Sequence, residues 1–195
     1  MTESVHQNIS IALVHFPVYN KSGDIVTSSV TTLDVHDISR ICRTYAVGAF
    51  YIVTPLDTQQ KLVSRMMTHW LEGYGSQYNP TRKEALLCAR VVNVLDEALE
   101  EITQRAGKPP KTIVTDAKRF PQSRSYREMR ETLNPDDPYL LVFGTGWGLE
   151  KGMVARADYV LAPIEGLNGY NHLPVRAAIA IILDRLLAGG DAAVE

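Results

Sequence analysis

Three glycines in five residues, Gly144-Thr145-Gly146-Trp147-Gly148, follow directly on the apolar run Leu140–Phe143. Glycine tolerates positive φ and lets backbone come close to a ligand, so this loop can seat a small molecule; it can also be a turn needed only for geometry. A dinucleotide fingerprint would need a sixth-position glycine, where Leu149 stands, and no Gly-Lys-Ser/Thr follows as in a phosphate loop. The missing polyphosphate cradle weakens an ATP or NAD reading. A second loop, Pro163 to Leu173, holds few charges. Its apolar side chains can wall a pocket, and its amides and carbonyls can bond the edge of a heterocycle. A structureless loop of this length in a compact domain is usually functional.

Three further groups of residues could act on a substrate. Asp34-Val35-His36-Asp37, followed by Arg40 and Arg43, sets acids and a histidine beside two arginines at a helix start. That is either an ordinary capped helix with a solvated face or an active-site arginine with polar supports. The stretch Lys118–Arg130 holds Lys118, Arg119, Arg124, Arg127 and Arg130 against one acid, Glu128, interleaved with Phe120 and Tyr126. Such a stretch suits a phosphate backbone and stacked bases, or else a solvated helix face. The loop Gly73–Asn79, with Trp70 before it and Arg82-Lys83 after, is a second candidate for contacting a nucleotide. His15, near the end of the first apolar run, reads as a core histidine. No CxxC or HExxH spacing occurs, so no metal site is expected.

The elements that must position these residues alternate. Ile9–Phe16 is a nearly continuous apolar run, as expected of a strand buried on both faces. Asn20 to Asp24 is turn chemistry. Asp34 is expected to cap a helix through about Tyr45, and Ala49–Val53 is the next strand. Asp57 or Thr58 should cap a helix with Leu62, Val63, Met66, Met67 and Trp70 on one face. Gly73 to Pro80 reads as a loop, and Thr81 with Glu84 as a capping box opening a short helix. Strands follow at Val91–Val94 and Thr112–Thr115, with a helix from Asp96 between them. Leu140–Phe143 and Tyr159–Leu161 are the last strands. A final helix from Pro174 to Ala188, closed by Gly189-Gly190, is apolar almost all round, which predicts burial on most sides and a subunit interface. Alternating strands and helices predict an α/β fold, a mostly parallel sheet with helices on both faces. Ligands of such sheets sit at the carboxyl ends of the strands, here the loops after Thr115, Phe143 and Leu161.

The chain has 195 residues and a formal net charge of −2. It reads as a single domain over 1–195. No global field declares nucleic acid as partner, although a local basic patch would suffice. Cys42 and Cys88 read as small buried residues in a reducing compartment. No signal-peptide pattern opens the chain, and the apolar run Val175–Ala188 is too short to span a bilayer, so a cytoplasmic protein without a membrane partner is expected.

The chain resembles the SPOUT superfamily of S-adenosylmethionine-dependent RNA methyltransferases, which carry a C-terminal deep trefoil knot. Val142 to Gly148 is similar to the strand and glycine loop that enter that knot, and Tyr159 to Ile164, with the loop and helix after it, to the segment that closes it. Asp37 to Gly48 (DISRICRTYAVG) is similar to the N-terminal motif of the 2′-O-methylating branch, with Asp37 where that branch usually has Asn. LVHFPVYNKSG and HWLEGYGSQYNPTRKEAL also look like a compact bacterial SPOUT family. The resemblance implies a homodimer, S-adenosylmethionine held by the C-terminal loops, no metal, and an RNA substrate (tRNA or rRNA) methylated on a ribose 2′-oxygen or a base nitrogen. Backbone groups of Thr115, Gly144, Gly148, Ile164, Leu167 and Leu173 would hold the cofactor, with Thr145 and Gly146 beside them in the same loop. Arg43 would activate or orient the nucleophile, with Glu165 and Asp116 as candidate proton acceptors. Lys118, Arg119, Arg124, Arg127 and Arg82 would contact RNA. The competing readings are a non-catalytic RNA-binding protein and another nucleotide-binding α/β enzyme.

Overall fold

A computed structural model describes residues 8–188. In chain order its first elements are β1 (Ile9–Val14), β2 (Val18–Tyr19), β3 (Ile25–Val26), α1 (Thr32–Thr44), β4 (Ala49–Val53) and α2 (Asp57–Leu71). The middle holds α3 (Tyr74–Tyr78), α4 (Pro80–Leu86), β5 (Ala89–Val92), α5 (Leu95–Ala106), β6 (Lys111–Val114), β7 (Ser123–Arg124) and α6 (Tyr126–Thr132). The last are β8 (Tyr139–Gly144), α7 (Lys151–Arg156), β9 (Tyr159–Leu161) and α8 (Val175–Leu187).

Seven strands form one sheet in the order β5-β4-β1-β8-β6-β9-β7, and every pairing in it is parallel. Alternation along β1 explains why its sequence is apolar throughout. Ile9, Ile11 and Leu13 enter a core shared with α1, α2 and α8, while Ala12 and Val14 enter a second core with Ala98 and Ile102 of α5 and Val154 of α7. Both faces of the strand are therefore covered, and period-two alternation is erased from the sequence. Each fully buried Ile or Leu side chain contributes about 1.5–3 kcal/mol relative to exposure. The sheet is thus the rigid base on which the carboxyl-end loops stand. In space β6 lies between β8 and β9, consistent with the expected C-terminal knot.

Several local expectations are corrected. The N-cap of α1 is Thr31, whose hydroxyl accepts from the Asp34 amide, so Asp34 lies inside the first turn. α2 begins at Asp57 without any side-chain cap. Gly73 to Pro80 is no open loop, since α3 forms within it. Asn79 rather than Thr81 caps α4, accepting from Arg82 N, with Pro80 at the first position. Glu84 turns away to pair with Arg43, and the complete capping box is found instead at Ser125 and Glu128. The helix α7 and strand β7 carry too few residues to register as periodic patterns. Gly189-Gly190, expected to close the last helix, lie outside the described residues.

Candidate active site

β6, β8 and β9 end side by side, so the loops that follow Val114, Gly144 and Leu161 converge on one rim of the sheet. They enclose a pocket of about 490 Å³, within the range of roughly 300–1,000 Å³ common for small-molecule sites. Phe143, Ile164, Leu173, and Ala178 and Ile182 of α8 supply apolar walls. Thr115, Asp116 and Lys118 form one side, and Gly144, Thr145, Gly146 and Gly148 another.

The glycine loop is braced from below. Trp147 N donates to Tyr19 O and Tyr19 N to Gly148 O, both at 2.9 Å, which docks the loop on the β2–β3 hairpin. A Cβ on Gly146, at φ +60°, would stand 2.9 Å from Tyr19 O. Gly148 adopts φ +103°, and its Cβ would stand 2.9 Å from Asp116 Oδ2. Thr145 Oγ1 donates to Val14 O at 3.1 Å and also meets Ser28 Oγ. Ser28 lies 3.0 Å from His15 Nδ1. Burial pushes the His15 pKa down to about 4, against the opposing field of Asp34 and a backbone bond at Ser29. The ring is therefore neutral near pH 7, a fixed strut under the loop.

The long loop is tied across the pocket to the loop after β6. Asn171 Nδ2 donates to Ala117 O at 2.7 Å, and Arg119 pairs with Glu165 at 2.5 Å. Between Pro163 and Leu173 no main-chain amide bonds a main-chain carbonyl among the described residues. The Tyr170 amide donates to Asn168 Oδ1 at 3.2 Å, while the main-chain groups of Ile164, Gly169, Asn171, His172 and Leu173, which line the pocket, are available to a ligand, because backbone donors and acceptors in native structures find partners. Unspent amides and carbonyls beside apolar walls fit the adenosine and methionyl portions of S-adenosylmethionine. The Asp116 carboxylate fits its cationic groups, and among the described residues no cluster of metal-ligating side chains occurs.

Of the residues singled out from sequence, Leu167 is fully exposed and lies off the pocket lining, and Glu165 lies beside the pocket, held by Arg119. The basic stretch is dispersed rather than a single face. Arg124 lies over the Tyr159 ring at 4.6 Å, Arg127 pairs with Glu131 at 3.1 Å, and Arg130 donates to Arg185 O at 2.6 Å. Lys118 alone of that stretch lines the pocket. Trp147, 58% exposed at the rim, and Asn171 and His172 were not foreseen as site residues. The tryptophan's place between two glycines was the available signal.

Arg43 stands elsewhere. α1 and α8 run side by side: Arg176 pairs with Asp34 (3.1 Å) and Asp37 (3.3 Å), and Tyr45 donates to Asp184 at 3.1 Å. The first turn of α8 lines the pocket, whereas Arg43 sits in the last turn of α1, about 13 Å along the helix from Asp34 by the rise per residue. There Arg43 shares a second cleft of about 300 Å³ with Arg40 and Arg82.

Known proteins place this architecture. An uncharacterized protein from Aquifex aeolicus is 40% identical over 185 residues, which are 94% of this chain and 90% of the relative. A tRNA (guanine-N(1)-)-methyltransferase from Oleidesulfovibrio alaskensis is 44% identical over 95% of this chain, which spans only 43% of that relative's length. Among solved structures, the A. aeolicus TrmH/SpoU tRNA modifying enzyme superposes with a TM-score of 0.55 at 18% identity, covering 95% of this chain and 78% of the other. The SpoU methyltransferase AviRb from Streptomyces viridochromogenes, in complex with the cofactor AdoMet, gives 0.56 at 16% identity, with 92% and 56% covered. These likenesses establish a common fold. A family model described as SAM-dependent RNA methyltransferase matches residues 8–188, and the chain belongs to that family.

Proposed function

We propose that this member of the family transfers a methyl group from S-adenosylmethionine to a tRNA or rRNA nucleotide, at a ribose 2′-oxygen or a base nitrogen, and that it does so as a homodimer in the cytoplasm. The observation that carries the reading is the carboxyl-end pocket, with its apolar walls and with lining main-chain groups that bond no other main chain among the described residues. The cofactor would supply an electrophilic methyl group on its sulfonium. The protein's part is to align an incoming nucleophile and remove one proton. Asp116 is the better-placed acceptor. One of its oxygens is held by Lys118 N at 2.8 Å, and the carboxylate lies in the pocket lining. Glu165 is engaged by Arg119 and would need to leave that pair to act.

In this reading Arg43 orients the nucleophile from the neighbouring copy, since within one chain it sits in the other cleft. The dimer reading draws on α8, whose Ala177, Ala180 and Ile181 are only half-buried on an otherwise apolar helix, and on the exposed Leu33 of α1. The two named tRNA methyltransferases, of which this chain spans 43% and 42%, favour tRNA over rRNA. The cytoplasmic assignment draws on the RNA substrate and on two unpaired cysteines. Isothermal calorimetry with S-adenosylmethionine is the test: micromolar binding at one site per chain is expected, and no binding at high micromolar concentration sinks the proposal.

A further inference from the structure

The second cleft is absorbed neither by the cofactor pocket nor by the role given to Arg43. Arg40, Arg43 and Arg82 converge there with a single carboxylate, Glu84, which Arg43 engages. Among the described residues the guanidinium groups of Arg40 and Arg82 make no ion pair and no hydrogen bond. Two fixed positive charges and up to ten N–H donors thus face an open cleft without partners. Arg82 is held in place by its stack on Trp70, 4.4 Å from guanidinium carbon to ring centroid. Gly75 lets α3 close over that ring, since a Cβ there would stand 2.6 Å from it.

Beside the cleft the surface changes character. Asn79 lines it, and the short helix α3 that ends just before Asn79 carries Tyr78 and Tyr74, 74% and 72% exposed, their rings stacked with centroids 6.0 Å apart and planes 23° apart. Two neighbouring aromatic faces left in water beside unneutralised arginines match the two halves of a nucleotide strand: arginines for the phosphodiester, tyrosines for unstacked bases. An acidic peptide or a free phosphate would leave the tyrosine faces unused, and a paired duplex would hide its bases from them.

We propose that the Arg40–Arg82 cleft and the Tyr74–Tyr78 pair form a seat for single-stranded RNA, holding the substrate strand beside the nucleotide that Arg43 orients. The proposal rests on the methyltransferase reading and adds a second grip on the same substrate.

The test uses the full chain and a short, unpaired, pyrimidine-rich RNA labelled with fluorescein, titrated by anisotropy over a range of KCl concentrations. Arg40→Ala should weaken binding and reduce the magnitude of the log–log salt slope by about 0.7, one phosphate contact on a single strand. Tyr74→Ala combined with Tyr78→Ala should weaken binding by about tenfold or more with the slope unchanged. The same sequence presented as duplex should bind more weakly than the single strand. All these side chains are exposed, so wild-type S-adenosylmethionine affinity and melting temperature are expected in each variant. Wild-type RNA affinity in both variants overturns the seat, as does failure of the unmodified protein to bind the oligonucleotide. So does an arginine variant that alters only sedimentation, which would make the cleft a contact between copies. Loss of cofactor binding by the unmodified protein would instead overturn the methyltransferase reading, so the two failures are distinguishable.

Discussion

One methyl group added at Gly148 tests whether the glycine loop is the cofactor's seat. Gly148 holds φ +103°, beyond the left-handed region open to other residues, and forcing an L-residue into such backbone costs about 1–2 kcal/mol. The new Cβ would lie 2.9 Å from Asp116 Oδ2. That carboxylate cannot simply swing aside, because its other oxygen accepts from Lys118 N at 2.8 Å. Releasing that bond costs about 1 kcal/mol more. Gly148→Ala should therefore lose about 2–3 kcal/mol, within the stability of roughly 5–15 kcal/mol of a native domain, so it should stay folded. At about 2–4 °C per kcal/mol for a chain of this size, melting should fall by about 4–12 °C. Because the loop and Asp116 both line the pocket, S-adenosylmethionine affinity should fall at least tenfold by calorimetry. Gly107→Ala is the control. Gly107 has φ +74° at the end of α5 with nothing within 4 Å of a Cβ, so it carries strain without a place in the pocket. It should lose stability and keep wild-type cofactor affinity. Wild-type affinity in Gly148→Ala would refute the placement of the cofactor against this loop.

Other perturbations separate structural from functional roles. Arg43→Ala should abolish methyl transfer with cofactor binding nearly intact and melting almost unchanged, since its partner Glu84 is an exposed ion pair worth little; retained activity would make Arg43 a structural helix residue. Arg176→Ala should cost about 1–3 kcal/mol in urea unfolding, because Asp34, nearly buried, would keep only the Thr31 hydroxyl at 2.6 Å. It should also weaken cofactor binding, since α8 supplies a pocket wall; loss of neither would remove the α1–α8 tie from the account. His15 is depressed from 6.5 to about 4, so the unfolded chain binds the proton that the folded chain refuses. Stability is whole above pH 6.5 and falls as pH drops toward 4, by about 3 kcal/mol in total. His15→Gln should lose less over that window than the wild type, and parallel curves would contradict the burial argument.

The fold was legible where burial wrote long patterns. The runs at Ile9–Phe16, Ala49–Val53 and Tyr159–Leu161 fall on strands, the first of which ends at Val14, because both faces of a parallel sheet are covered. The pocket's place followed from the rule that ligands gather at strand carboxyl ends. What escaped was local competition and long-range proximity. Thr31 and Asn79 took the caps expected of Asp34 and Thr81 because their backbones are extended or irregular where the helices begin. Glu84 was drawn to Arg43, forty-one residues away, rather than to its own helix terminus. The basic stretch Lys118–Arg130 reads as one patch in sequence, yet a turn and a two-residue strand send its arginines to Glu165, Tyr159, Glu131 and Arg185. The convergence of Arg40 and Arg43 with Arg82 depends on α1 packing against α4, which no spacing announces.

Methyl transfer itself is the most direct test. The protein is incubated with S-adenosylmethionine labelled at the methyl carbon and with total RNA from cells lacking its gene, and the labelled nucleotide is then mapped. The account predicts label in one defined nucleotide of tRNA or rRNA, absent with Gly148→Ala at low cofactor concentration and with Arg43→Ala at any. No label in any RNA fraction, from protein that binds the cofactor, would contradict it and leave an RNA-binding protein that does no chemistry.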